Sequence, residues 1–360
     1  MTAVARARLA RWDADIAGLS PAYFGMVMAT GIVSIGADML GLPLLARGLF
    51  ALNLAVYAVL WALYLLRLLR HPRRFFDDMC DHLRGPGFFT AVAATSVLGS
   101  QCLLLAGNLA AGMALWGAAI VLWLTLTYAV FAILTIKETK PALDRGINGG
   151  WLLAVVATQS IAVLSALLAA RIGQPYKLEM NFFALSMWLW GGMLYIWMMS
   201  LIFYRYTFFP FRPDDLSPPY WINMGAMAIS TLAGSLLIVN AAEAPFLLSL
   251  HPFLKGFTVF YWATGTWWIP MLLVLGVWRH VYKRFPLRYD PLYWGAVFPL
   301  GMYAASTAEL EQAMGFGFLA WLPRLFLYVA LAAWLAAFVG VLRSLARGHL
   351  TGAGGSPLPP

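Results

Sequence analysis

Charge is scarce in this chain. Asp, Glu, Lys and Arg make up 11% of its 360 residues and hydrophobic residues 62%, against roughly 25% and 45–50% in soluble domains. That shortage excludes an ordinary solvated surface, and it excludes disordered and coiled-coil chains, which need still more charge. Cysteine is scarce too. Cys80 lies in a charged loop and Cys102 inside an apolar run, so no disulfide scaffold is possible and the two are not expected to pair. The 32 glycines are too few for a collagen repeat. Acidic residues, 15 against 24 basic ones, leave a net charge of +9. No soluble basic domain exists to carry that charge to nucleic acid, because the cations sit in short loops between apolar stretches, as membrane topology requires. His71, His82, His251, His280 and His349 show no HxxxH or HExxH spacing, so neither a metal site nor a cofactor is expected.

What is present in abundance is bilayer-length hydrophobicity. Ten apolar runs occupy residues 19–38, 44–69, 87–106, 112–136, 150–170, 181–204, 220–241, 253–278, 292–310 and 321–342, each near the ~20 residues that span a membrane as helix. They predict one all-α membrane domain over 19–345, between a cytoplasmic N-terminal tail, 1–18, and a cytoplasmic C-terminal tail, 346–360. Arg6, Arg8 and Arg11 resemble the start of a signal peptide, but Asp13 and Asp15 stand close to the first run and no small-x-small cleavage site follows. A retained first helix is expected. If the runs alternate across the membrane, nineteen Lys and Arg fall on the side of the termini. Arg47, Arg171, Lys177, Lys255 and Arg324 fall on the other. This positive-inside bias puts both termini in the cytoplasm and supports an even helix count.

The odd-numbered runs repeat. Tyr23-Phe24, Phe88-Phe89, Trp151-Leu152, Tyr220-Trp221 and Tyr293-Trp294 each open one, and small or hydroxyl residues follow. The second members, 24, 89, 152, 221 and 294, are 63 to 73 residues apart, so each repeat is one helical hairpin and successive hairpins enter the membrane the same way up. Five such units can close a pseudo-fivefold ring. The even runs, rich in Leu, Trp and Val, suit lipid, with Trp267, Trp268 and Trp278 as packing or interface anchors. The odd runs concentrate hydroxyls and amides and are expected inside. Five helices ~9 Å apart leave a central hole ~3 Å in radius. Hydroxyl and amide dipoles along it would suit weakly selective passage of small anions, and the basic side would concentrate them.

Offsets of four and seven residues from the five anchors predict two pore rings: Met28, Ala93, Val156, Gly225 and Phe298, then Gly31, Ser96, Gln159, Ala228 and Gly301. At its level Phe298 is one large ring among mostly small walls. Pro299 beside it removes a backbone donor where the helix must bend, so Phe298 is the candidate gate.

In Pro21-Ala-Tyr-Phe-Gly-Met-Val-Met-Ala-Thr-Gly-Ile-Val-Ser34, Arg84-Gly-Pro-Gly-Phe-Phe89 and Trp294-Gly-Ala-Val-Phe-Pro-Leu-Gly301 the chain resembles the tellurite-resistance/C4-dicarboxylate transporter (TDT, TehA-like) family. That family includes plant slow anion channels, yeast malate permeases and fungal sulfite pumps. The resemblance spans nearly the whole chain. It implies ten helices as five hairpins around a central pore, a homotrimer with one pore per protomer, and a pore-blocking phenylalanine in the ninth helix, matched here by Phe298. Family members often kink several inner helices with proline. Only Pro299 lies mid-helix in these five, which leaves Gly31, Gly225 and Gly301 to supply any other irregularity. The long cytoplasmic tails of the plant relatives are missing, which argues against their phosphorylation control.

The expected function is a passive anion channel or uniporter for tellurite, sulfite, C4-dicarboxylate, chloride or nitrate, rather than an enzyme. The alternative on the same fold is a proton-coupled dicarboxylate carrier. A third reading rests on Asp77-Asp78-Met-Cys-Asp81, whose DDxxD spacing suits magnesium pyrophosphate in membrane prenyltransferases. Its necessary second acidic cluster is at best Asp214-Asp215 in a Pro-rich loop. A solvated loop balancing Arg73, Arg74 and Arg84 is the plainer account. Glu309 and Glu311 near the outer end of helix nine could bind a cation or sense pH, but exposed carboxylates at a helix end are the plainer account.

Overall fold

The computed structural model describes residues 3–287 and 289–347. Arg288 and residues 348–360, most of the expected C-terminal tail, lie outside the described residues. The helices are α1 (Ala3–Ala17), α2 (Gly25–Met39), α3 (Pro43–Arg70), α4 (Pro72–Met79), α5 (Phe89–Leu104), α6 (Leu109–Ile136), α7 (Leu143–Gly146), α8 (Leu153–Ala169), α9 (Tyr176–Phe208), α10 (Ile222–Asn240), α11 (Pro245–Ser249), α12 (His251–Val277), α13 (Trp294–Met314) and α14 (Trp321–Ala346). There is no strand among the described residues. Nine helices among them are long and apolar enough to cross a membrane, so the protein is an all-helical, multi-pass membrane protein. The tenth expected span, α13, is continuous over 21 residues. Pro299, Glu309, Glu311 and Gln312 leave it less apolar than the nine.

Two kinds of helix follow from what surrounds them. In their most apolar windows α2, α5, α8 and α10 are 78–94% buried, whereas α3, α6, α9, α12 and α14 are 17–56% buried. Burial on all sides also describes α13, in which 14 of 21 residues are buried. Each of the five inner helices packs against the outer helix that follows it: α2 on α3, α5 on α6, α8 on α9, α10 on α12 and α13 on α14. The inner helices also pack in sequence, α2 on α5, α5 on α8, α8 on α10 and α10 on α13, and α13 returns to α2.

Every inner helix opens with a 3₁₀ turn: Pro21–Phe24, Gly85–Phe88, Gly149–Leu152, Pro218–Trp221 and Pro291–Tyr293. Four carry proline in the first two positions, where its missing N–H and fixed φ fit a helix start. The third uses Asn148 instead, whose Oδ1 accepts from Gly150 N at 2.8 Å. These turns touch in the same cyclic order. At Gly149 the approach is closest: a Cβ there would sit 2.5 Å from the Pro219 carbonyl oxygen. The expected tail 1–18 contains α1, which packs on α3 and buries Ile16 and Ala17.

A cation closes four of the hairpins at this end. Arg67 Nε donates to the Ala17 carbonyl at 3.2 Å, Lys137 Nζ to Cys80 at 2.9 Å, Arg205 Nε to Asp144 at 2.9 Å and Arg279 Nη1 to Leu216 at 2.5 Å. In each, the end of the outer helix holds the segment before its own inner helix. Part of the basic end is therefore structural.

Candidate functional site

A cavity of about 120 Å³ lies between the five inner helices. Its lining is Ile32, Ile35 and Met39 of α2; Val97, Ser100 and Leu104 of α5; Ser160, Val163 and Leu167 of α8; Ile229, Leu232 and Leu236 of α10; and Met302, Ala305 and Glu309 of α13. Counted from 24, 89, 152, 221 and 294, these positions stand at offsets 8, 11 and 15 in every helix. Five repeats thus turn the same face to one space, in three layers. The layers at offsets 8 and 11 are buried, while Met39, Leu167, Leu236 and Glu309 at offset 15 are half-buried and Leu104 is exposed. The cavity therefore opens toward the C-terminal ends of the inner helices and closes toward their 3₁₀ turns.

None of the ten residues expected to line a pore lines this cavity. At 3.6 residues per turn, offsets 8, 11 and 15 fall within a sector of about 60°, offset 4 lies inside that sector, and offset 7 lies about 70° from its centre. The two expected rings part company there. Met28, Ala93, Val156, Gly225 and Phe298 share the cavity's face about 6 Å below its floor, and Phe298 is buried to 1% exposure. The second ring is turned into the walls. A Cβ on Gly31 would meet Val97 Cγ1 at 2.4 Å, and one on Gly301 would meet Val33 Cγ2 at 3.0 Å. Gln159 Nε2 donates to the Trp188 carbonyl on α9 at 3.0 Å. Ser96 and Ala228 are buried.

The glycines do not interrupt their helices either. α2, α10 and α13 run unbroken through Gly31, Gly225 and Gly301, and these residues serve close approach: a Cβ at Gly225 would lie 2.6 Å from Pro299 Cγ. Pro299 sits inside α13, which continues through it.

The hydroxyls expected in a pore lining have another use. Tyr57 of α3 pairs with Thr95 of α5 at 2.9 Å, Trp123 Nε1 of α6 donates to Thr158 of α8 at 2.9 Å, and Trp262 of α12 to Thr307 of α13 at 3.1 Å. Trp334 of α14 donates to Thr30 of α2 at 3.0 Å, and Trp188 of α9 to the Ser230 carbonyl of α10 at 2.8 Å. Every outer helix is thereby tied to the inner helix of the next hairpin, and the last to the first. Thr95 and Thr158 also donate to Ala91 and Ala154, so each hydroxyl is satisfied as donor and acceptor. Only Ser100, Ser160 and Glu309 make the cavity lining polar.

Asp77-Asp78-Met-Cys-Asp81 is not a free acidic cluster. Asp78 holds Arg67 at 2.5 Å and Arg84 at 2.6 and 2.9 Å, and Asp81 Oδ1 caps Leu83 N and Arg84 N at 2.9 and 2.8 Å. Arg73 and Arg74 are not Asp78's partners; Arg67, buried in α3, is. Glu309 likewise departs from an exposed helix end, since it lines the cavity.

No column of the repeat at offsets 8, 11 or 15 is polar throughout, which is why composition does not reveal the lining. The helical period does: steps of 4, 7 and 11 from Phe298 reach Met302, Ala305 and Glu309.

Helices that cross a membrane many times, and that enclose a cavity lined in equivalent register by five repeats, define a membrane transport protein. Residues 18–342 match the SLAC1 family, described as voltage-dependent anion channel, and the chain belongs to that family. Two uncharacterized transporters of Methanocaldococcus jannaschii are similar over most of its length. One is 25% identical across 93% of this chain and 97% of its own, the other 26% identical across 80% and 82%. An uncharacterized membrane protein of Mycobacterium tuberculosis is 42% identical across 42% of this chain and 77% of its own length. The protein is an anion transporter or channel, not an enzyme.

Proposed function

We propose that this protein is a passive channel or uniporter for small anions or organic-acid anions, built from ten membrane helices as five hairpins around a central pore. The observation that carries the reading is the common register of the cavity lining, three positions per inner helix at the same offsets in all five. Side chains so arranged form stacked rings around one axis, the geometry of a path rather than of a pocket. Phe298 stands on that face one turn below the floor and is buried. A phenyl group there would close a hole ~3 Å in radius to any anion. Phe298 is accordingly the gate, with Met28, Ala93, Val156 and Gly225 at its level, and it swings aside by a rotamer change or by bending of α13 near Pro299.

The 19–345 domain sits in the cell membrane with both termini cytoplasmic, as the distribution of Lys and Arg supports, and the protomers assemble as homotrimers. Cys80 lies at the basic end and Cys102 is buried, so a membrane-impermeant thiol reagent that labelled Cys80 only from outside intact cells would reverse the orientation.

The test of function is a liposome flux screen over tellurite, sulfite, malate, chloride and nitrate. Phe298→Ala is expected to raise flux several-fold while preserving expression and oligomeric state, and Phe298→Leu to raise it less. A folded Phe298→Ala protein with unchanged flux puts the block elsewhere. A current reversing at the anion's equilibrium potential, whatever the proton gradient, separates the channel from a proton-coupled carrier.

A further inference from the structure

Of the fifteen described side chains lining the cavity, Glu309 alone is ionisable. It stands in the half-buried layer at the cavity's open end, where its counterparts on the other four helices are Met39, Leu104, Leu167 and Leu236. No cation in that layer offsets it, and among the described residues it makes no ion pair. Among the elements packed against α13, α2 carries Asp38 beside Met39, α10 carries no charged residue, α14 carries Arg324 near this end, and α12, bonded to α13 through Trp262 and Thr307, carries His251 and Lys255 at its start. Glu311 follows on the same helix. An anion entering the cavity must therefore pass a carboxylate across a space lined mainly by hydrocarbon, where like charges repel more strongly than in water.

We propose that Glu309 is a specificity-determining residue at the mouth of the anion path. Ionised, it repels entering anions, and dianions most strongly. When one proton from the adjoining aqueous phase adds to a carboxylate oxygen, the group becomes neutral and gains an O–H donor with which it can serve the passing anion. Anion flux then rises as the pH on that side falls, and monoanions are favoured over dianions at neutral pH. The inference rests on the reading of the cavity as the anion path.

The full-length protein carrying Phe298→Ala, to hold the path open, is reconstituted in liposomes with chloride and sulfate as the two probes. Lowering the pH on the cavity's open side from about 8 to about 4, a range that reaches the ordinary carboxylate value of about 4.3, is expected to raise chloride flux several-fold. Adding Glu309→Gln is expected to abolish that response and to raise the sulfate-to-chloride ratio at neutral pH. Glu309→Asp and Asp38→Asn are expected to keep it. A pH response that survives Glu309→Gln, or that is lost in Asp38→Asn, overturns the assignment. If chloride flux through Phe298→Ala is pH-independent, this proposal alone fails; if that protein passes no anion at all, the reading of the path fails and takes the proposal with it.

Discussion

The bond from Trp334 to Thr30 joins the last outer helix to the first inner helix, 304 residues apart in sequence, at 3.0 Å. It is the tie that closes the cyclic order of hairpins, so its removal should loosen the bundle as a whole. Trp334→Phe deletes the indole donor and keeps an aromatic ring to stack on Phe338, whose centroid is 4.8 Å away. Thr30→Val deletes the acceptor and keeps the shape. Thr30 is buried, but the lipid-exposed alternative state also finds hydrogen-bond partners. Side-chain bonds between membrane helices therefore average about 0.6 kcal/mol and reach about 1.7. A coupling of about 1 kcal/mol is expected from the double-mutant cycle, because once either partner is gone the second substitution has no bond left to break. Thermal denaturation in detergent, read as folded protein surviving on size-exclusion chromatography, should show shifts of a few degrees for each single variant and a double variant less destabilised than their sum. Trp267→Phe, on an exposed indole of α12, should leave the midpoint unchanged. Strictly additive effects of Trp334→Phe and Thr30→Val would refute the idea that this bond fastens the two ends of the array.

Asp78→Ala should lower stability by about 3 kcal/mol, since it strands the buried Arg67 guanidinium without its carboxylate, whereas Asp77→Ala on the exposed side of α4 should be near neutral. Melting curves check both, and added magnesium should protect neither. Gln159→Leu should cost about 1 kcal/mol through the lost bond to the Trp188 carbonyl and leave anion selectivity unchanged. Its neighbour Ser160, which lines the cavity, should behave in the opposite way, with Ser160→Leu cutting liposome flux at little cost in stability.

Nine of the ten expected membrane spans were legible in the sequence and are, among the described residues, helices long and apolar enough to cross a bilayer. Apolar runs at 44–69 and 112–136 became α3 (Pro43–Arg70) and α6 (Leu109–Ile136), because the length of hydrocarbon a helix must cross is a one-dimensional demand that consecutive residues meet by themselves. The anchors 24, 89, 152, 221 and 294 were legible for a similar reason. Each closes or directly follows a 3₁₀ turn whose proline or Asn cap is local chemistry, and they carry the register in which fifteen residues from five helices meet at equal offsets.

Which face of each inner helix turns to the cavity was decided only by tertiary structure. In a soluble protein polarity would mark the wet side, but an inner membrane helix is covered by protein all round. Thr30, Thr95 and Thr158 satisfy their hydroxyls against Trp334, Tyr57 and Trp123 of neighbouring helices, and Gln159 satisfies its amide against a backbone carbonyl of α9. A polar side chain there reports a hydrogen-bond partner, and the partner can be an outer helix as readily as the cavity. Glycine is equally ambiguous, since Gly31, Gly225 and Gly301 admit neighbouring side chains rather than solvent. The sequence alone determined nine of the spans and the common register of the five repeats. The rotation of five helices about their own axes, and with it the placing of Ser160 and Glu309 in the cavity and Gln159 in the wall, depended on partners dozens to hundreds of residues away.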